Sequence, residues 1–392
     1  MLQSDATPYP KVHSPTLADR SYIYHPNAVA GNRPITVGYD LSYLNLSEPH
    51  SGWSLPLSIS RVGIDQSATE CLLDQLKGVL ATPDLAKEAL VVNTLDSKYG
   101  TAAYLAPSHA HENLVNVVRL RKGQKIYASA DEQSRRIYGP RYYLSAESQT
   151  KSYLKHPKTG LPYEVYQPSI FEREADEQHS LRGTTAAGRD LHIKLWRWHD
   201  LRLRSKDGHN MKDKPLDLLA VQVYDAHSGK RLFPQGLYLA ITGEKRRQLS
   251  TEAAYEDYRH RYDIEPYFRF SKQKLFLTQY QTSNEQYLDQ WLLVQQLATW
   301  LLFLTSTEVG NAPKKWQQYL PKEKQAQQQT RRSIAQTRKA AQAHFLTFDL
   351  TPFHPQKSKR GKPRQEGDTQ PKRKRHRVVK KTQKRAMNPQ RE

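Results

Sequence analysis

The chain has 392 residues, with 60 Lys and Arg against 39 Asp and Glu and a formal net charge of +21. That balance points to a polyanionic partner, most simply nucleic acid. Cys71 is the only cysteine, which excludes an intrachain disulfide framework or a cysteine-based zinc site and fits a reducing cytosol. The length accommodates two or three domains.

In chain order, MLQSDATPYPKV lacks the apolar core of a signal peptide. Asn32 to Leu46 and Trp53 to Val62 read as strands, β-branched and apolar between Gly and Pro breaks. Ser67 to Leu80 reads as an amphipathic helix opened by a capping box, Ser67 with Glu70 three residues on. Leu90 to Leu95 is a short apolar strand running straight into Asp96; a helix over Tyr99 to His109 and a buried strand over Leu114 to Leu120 follow. Lys125 to Glu172 is rich in Tyr and turn residues, and Leu191 to Leu203, Leu218 to Tyr224 and Gly236 to Thr242 read as strands. Asp207-Gly208 and Ser228-Gly229 mark turns between them.

Trp196 and Trp198 form an i,i+2 pair on one strand face, with Lys194, Arg197, Arg202 and Arg204 nearby. Aromatic rings among cations suit base stacking with phosphate contact; burial in a local core is the plainer reading of the same pair. His192 and His199 lie in the same strand without a complete metal-ligand set. The run Trp291 to Leu304 is too short to span a bilayer and reads as a buried helix, opened by Ser283 and Gln286 as a second capping box. Glu323 to Ala343 is helical in composition. From Pro352 onward Pro, Gly, Lys and Arg dominate, and residues 357–392 carry 15 Lys and Arg against 3 Asp and Glu. Such a tail cannot bury a core, is expected to be disordered, and should add salt-sensitive affinity for DNA.

The segment with the most chemistry is YEDYRHRYDIEPYFRFSKQKL, Tyr255 to Leu275. At about 100° per residue, Tyr258, Arg261, Glu265 and Lys272 fall within roughly 60° of one another on a continuous helix. A phenol, a guanidinium, a carboxylate and an ammonium on one stripe suit a phosphodiester and a divalent metal. The plainer reading is a solvated face with an Arg261–Glu265 pair, which contributes a few tenths of a kcal/mol. Pro266 removes a helical N–H and should kink or restart the helix there.

The spacing Tyr258-x2-Arg261-x3-Glu265-x6-Lys272 resembles the Y-x2-R-x3-E-x6-K signature of DDE transposases of bacterial cut-and-paste insertion sequences. The resemblance implies an RNase H-like α/β core (residues 1–122 and 249–312), interrupted by a β-rich insertion (123–248) and followed by a polar helical segment and disordered basic tail (313–392). It makes Glu265 the third catalytic carboxylate, with Tyr258, Arg261 and Lys272 on phosphates and Trp196 and Trp198 as candidate base-stacking residues in the insertion. Asp96 matches the family's second carboxylate. Asp5, in a D-x-T motif, is preferred to Asp40 for the first.

The three carboxylates, Asp5, Asp96 and Glu265, would bind two Mg²⁺, with Mn²⁺ able to substitute, and the metals would activate water and then a 3′-OH. The partners implied are transposon-end and target DNA and a second copy of the chain in a dimeric synapse, in the cytoplasm and away from any membrane. An Asp5 that ends the first core strand leaves only Met1 to Ser4 before it and no room for the family's N-terminal end-binding domain. A truncated start with impaired activity is therefore expected. The alternatives are a non-catalytic DNA-binding remnant and an RNase H-like nuclease without strand transfer.

Overall fold

Burial on both faces explains the near-continuous apolar runs before Asp96 and Arg119. The computed structural model describes residues 1–25, 34–48, 52–82, 89–121, 123–130, 138–185, 188–204, 208–282, 284–308, 319, 321, 333–345, 365, 367 and 374–380. The fold is mixed α/β, with extensive parallel and antiparallel sheet and few helices. It divides into two units, Met1–Asp5 with Leu72–Tyr262 and Ala6–Cys71 with Asp263–Glu392. These divisions differ from the boundaries expected at 122, 248 and 312. Most strands of residues 123–248 continue the sheet of the strands before them, and two others form a separate two-stranded sheet.

In the first unit, β1 (Leu2–Pro10) enters with its first residues, beside β5 (Val91–Leu95) and β6 (Leu114–Arg119). Leu2, Gln3 and Ser4 pair in parallel with Asn93, Thr94 and Leu95, and β5 pairs in parallel with β6. Parallel strands covered on both faces lose the alternation of a half-exposed strand. All five residues of β5 are buried. A polar chain crosses this apolar layer. Ser4 Oγ donates to Asn93 Oδ1 at 2.8 Å, Asn93 Nδ2 to Tyr104 Oη at 3.0 Å, and Tyr104 Oη to Asn116 Oδ1 at 2.7 Å. Asn116 Nδ2 then donates to Ser108 Oγ at 3.1 Å. Tyr104 and Ser108 belong to α2 (Ala102–Ser108), so the chain fixes the helix to the strands and favours one strand register.

Beyond β6 the sheet continues antiparallel through β14 (Leu237–Thr242), β13 (Leu216–Asp225) and β12 (Asp190–Leu203), then β7 (Lys125–Ser129) and β8 (Tyr138–Tyr143). β11 (Glu177–Thr184) pairs with β12. The tyrosine-rich stretch also forms a separate two-stranded sheet, β9 (Gln149–Tyr153) with β10 (Tyr163–Gln167). Gly229 has φ +65° and Gly208 φ +76°, as the two turn readings require; Asp207 lies outside the described residues.

Gly243 follows β14 at φ +121°, and an added Cβ would lie 2.2 Å from the Leu114 carbonyl oxygen. Backbone strain and steric overlap act together there. Gly243→Ala is expected to lower the unfolding free energy by more than about 2 kcal/mol, measured as a shift in denaturant midpoint.

In the second unit the rest of β1 lies beside β3 (Ile35–Glu48), which pairs antiparallel with β2 (Ser21–Tyr24) and β4 (Trp53–Arg61). β1 therefore does not end at Asp5. Its apolar alternation runs on through Thr7 and Tyr9, and Asp5 sits inside a nine-residue strand. The core joins Tyr9, Tyr43 and Trp53 to Tyr267, Phe270 and Leu288. α1 (Ala68–Leu80) passes from this unit to the first, and its capping box forms: Ser67 N donates to Glu70 Oε2 at 2.6 Å and Glu70 N to Ser67 Oγ at 3.2 Å.

The segment read as one helix is two. α3 (Thr251–His260) ends in a 3-10 turn over Arg261–Asp263, and α4 (Ile264–Gln273) restarts with Pro266 in its first turn, where a missing N–H costs least. The single stripe computed for a continuous helix is thereby broken. Ser250 caps α3, accepting from Ala253 N.

α5 (Glu285–Glu308) is longer than its apolar run and is buried on one side only. Leu288 and Leu292 enter the core, whereas Leu293, Leu297, Leu301 and Leu304 are exposed, correcting the expectation of a fully buried helix. Asn284 caps it, accepting from Gln286 N at 2.8 Å; Ser283, expected in that role, lies outside the described residues. α6 (Ile334–Phe345) falls within the stretch of helical composition. Part of the tail is ordered. His376 N donates to Pro15 O and Val379 N to Arg20 O, both at 2.8 Å, because the edge beside Ser21 offers unpaired backbone groups. The remaining tail lies outside the described residues, 365 and 367 apart.

Candidate functional site

Strand register brings two of the expected carboxylates together in the first unit. Ser4 pairs with Leu95 on neighbouring parallel strands, so Asp5 and Asp96, each the next residue, leave the ladder side by side. Arg261, directly after α3, is nearly buried, and its Nη1 lies 3.5 Å from Asp5 Oδ2. Burial works against its charge, but Tyr258, Asp5, Tyr262 and Asp96 outweigh it and raise its pKa above the ordinary arginine value. Tyr258 is fully buried on α3, and burial pushes its hydroxyl up to about 12, against the pull of Arg261.

Two polar atoms in this cluster lack hydrogen-bond partners among the described residues: Tyr258 Oη and Arg261 Nε. Buried donors without acceptors are costly unless a ligand supplies one. Asp96 also lines a cavity of about 550 Å³ with Ser97, Arg119, Arg121, Arg231 and Tyr238. Arg231 Nε and Nη2 and Tyr238 Oη are buried there without partners among the described residues. Burial raises the Tyr238 hydroxyl to about 12 while Arg231 opposes the rise. Three guanidinium groups and an unused phenol give the recess donors for anionic oxygen, beside the carboxylates of Asp96 and Glu147.

The other expected residues belong to the second unit. Glu265 is exposed in the first turn of α4, where a carboxylate is favoured by the helix dipole. Lys272, in the last turn, donates from Nζ to Thr7 Oγ1 at 2.6 Å, the threonine of the D-x-T motif. Asp40 sits within β3, where its backbone carbonyl accepts from Val62 N at 2.9 Å. Among the described residues, no group of three or more His, Cys, Asp or Glu side chains is arranged to hold a metal. The pair Asp5 and Asp96 nonetheless offers the hard oxygen donors that Mg²⁺ or Mn²⁺ takes.

The tryptophans behave differently from one another. Trp198 is completely buried, donates from Nε1 to Arg173 O at 3.0 Å, and packs edge-on against Phe171. It is a core side chain, without an open face for a base. Trp196 is partly exposed and also meets Phe171 edge-on. Arg197, between them, is also buried, and pairs with Asp217 at 2.8 Å. His199 bridges Glu177 Oε1 at 2.9 Å and Asp217 Oδ2 at 3.1 Å, a structural role.

Sequence reading missed Arg119, Arg231 and Tyr238. Arg119 had a signal of its own, a basic residue closing the apolar run next to the one that ends in Asp96. Arg231 and Tyr238 had none, because their meeting depends on the β13–β14 turn. No helix among the described residues is long and apolar enough to cross a membrane. No protein-family model matches the chain, and no curated protein matches it.

Proposed function

We propose that the chain is a metal-dependent DNA transposase of the DDE class, cleaving phosphodiesters at the ends of a mobile element and joining them to target DNA. The observation that carries this reading is the side-by-side placement of Asp5 and Asp96 with Arg261 against Asp5. An RNase H-like core is part of the proposal. Its support is the parallel order β1, β5, β6 in one unit and the antiparallel β3–β4 pair beside β1 in the other.

Asp5, Asp96 and Glu265 would hold the divalent ions. Bound there, such ions supply charge stabilisation of the phosphoryl oxygens and a nucleophile at neutral pH. The chain's own groups orient the DNA. The Arg261 guanidinium and Tyr258 hydroxyl have donors to spare for phosphate oxygens, and Lys272 supplies a further cation beside Thr7. The recess beside Asp96 would take a neighbouring phosphate on Arg119, Arg121 and Arg231. A dimeric synapse on two DNA ends completes the reading.

The test is Mn²⁺-dependent nicking of labelled terminal-repeat duplex. Glu265→Gln, isosteric and exposed on its helix, should fold and bind DNA as the parent does while nicking falls below detection. Nicking at the parent rate by this variant would refute the assignment.

A further inference from the structure

The β9–β10 hairpin has no core of its own. All five residues of β9 are exposed, and Leu154 and Leu161, flanking the tip, are 90% and 65% exposed. A two-stranded hairpin in water is marginal, and this one is held by local devices. Tyr153 and Tyr163 stack at 5.1 Å with planes 17° apart. Ser152 Oγ donates to Glu164 Oε1 at 3.0 Å. The tip closes through Gly160 N to His156 O at 2.9 Å and His156 N to Leu161 O at 2.8 Å, with Gly160 at φ +71°. His156 Nδ1 accepts from Lys158 N and Thr159 N, both at 3.3 Å. The closed tip therefore presents two exposed leucines, close in sequence to its aromatic stem, an apolar surface suited to contact with a partner.

The charges around the tip favour an anionic partner. Lys151, Lys155 and Lys158 are exposed beside the leucines, and Glu164, the one acid in the hairpin, is engaged by Ser152. Apolar tip, aromatic stem and cationic flanks match a DNA groove, with apolar contact at the base edges and phosphates on both sides. A two-stranded ribbon fits the roughly 12 Å major groove, where leucine-sized groups meet thymine methyls. We infer that the β9–β10 hairpin is a duplex-DNA reader that inserts Leu154 and Leu161 into the major groove while Lys151, Lys155 and Lys158 contact phosphates. The inference rests on the DNA partner of the proposed function but not on its chemistry.

The experiment uses the full chain with EDTA present, so nicking plays no part. A photo-crosslinking benzoylphenylalanine replaces Leu154, and in a separate protein Ser180, an exposed residue of β11. Irradiation with labelled random-sequence duplex should give an adduct at position 154 and none at 180. Converting Lys151, Lys155 and Lys158 to Ala should reduce the slope of log affinity against log salt by about 2 to 3. Leu154→Asp with Leu161→Asp should weaken binding by more than about tenfold at an unchanged denaturation midpoint. No adduct at 154 together with an unchanged salt slope would overturn the proposal. So would an adduct to anionic phosphatidylserine vesicles in place of the duplex. Loss of nicking in Glu265→Gln with the 154 adduct intact separates this proposal from the catalytic reading.

Discussion

Arg197→Ala is expected to lower the unfolding free energy by about 3 kcal/mol, the largest stability loss of any single substitution considered. Its guanidinium donates to Asp217 Oδ2 from Nε at 3.2 Å and Nη2 at 2.8 Å, and Asp217 has no solvent exposure. Removing the cation takes from the buried Asp217 its closest partner and leaves His199, Arg246 and Arg247 at 3.1, 3.2 and 3.4 Å to hold the charge; breaking such a pair costs more than forming it gains. Arg197 also donates to Leu249 O at 2.8 Å and Arg246 O at 3.0 Å, so it fixes the chain entering α3. Helix placement should suffer with stability. Urea denaturation measures the loss, and Arg197→Lys, which keeps a cation beside Asp217, should lose less.

The same pair sets a pH dependence. Burial alone would raise the Asp217 pKa, but the Arg197 hydrogen bond and the charges of Arg197, Arg246 and Arg247 hold it below its ordinary value of 3.8. A carboxylate with a depressed folded-state pKa stabilises the fold above its unfolded value, and that contribution fades as pH falls through the folded one. The parent protein should therefore keep this contribution through neutral and mildly acidic pH and lose it below about pH 4. Arg197→Ala should begin to lose stability at higher pH.

The second large effect is catalytic. Asp96→Asn should reduce metal-dependent nicking by at least about a thousandfold, some 4 kcal/mol of barrier, while the denaturation midpoint stays near that of the parent. Asp96 leaves β5 at its end and lines the cavity, so an amide of the same shape fits without repacking. Nicking within about tenfold of the parent would remove Asp96 from the proposed metal-binding set.

Local signals carried most of what was legible in the sequence. The capping box at Ser67 was readable because both partners lie within three residues. The apolar runs of β5 and β6 were readable because burial on both faces leaves no alternation to misread. Pro266 marked the restart of the helix, although the stripe drawn through it assumed continuity across Arg261–Asp263. Asp5 was read as a strand end from the resemblance of D-x-T to a family motif, whereas Thr7 and Tyr9 continue the strand as buried residues.

What stayed hidden depends on distant partners. Arg197 was read only as one of the cations beside two tryptophans, and Asp217, twenty residues on across a strand pair, explains its burial. Arg231 and Tyr238 meet Asp96 through sheet order rather than sequence. The exposed side of α5 was unreadable for another reason: leucines recur around the whole helix, so periodicity named no outward face.

The most direct test of the metal-binding claim replaces Mg²⁺ with Fe²⁺ and generates hydroxyl radicals with ascorbate and peroxide, so that the chain is cut wherever iron is held. Cuts are expected beside Asp5, Asp96 and Glu265, suppressed by excess Mg²⁺ and lost in Asp96→Asn. Cuts confined to other segments, or a pattern unchanged by Asp96→Asn, would contradict that claim.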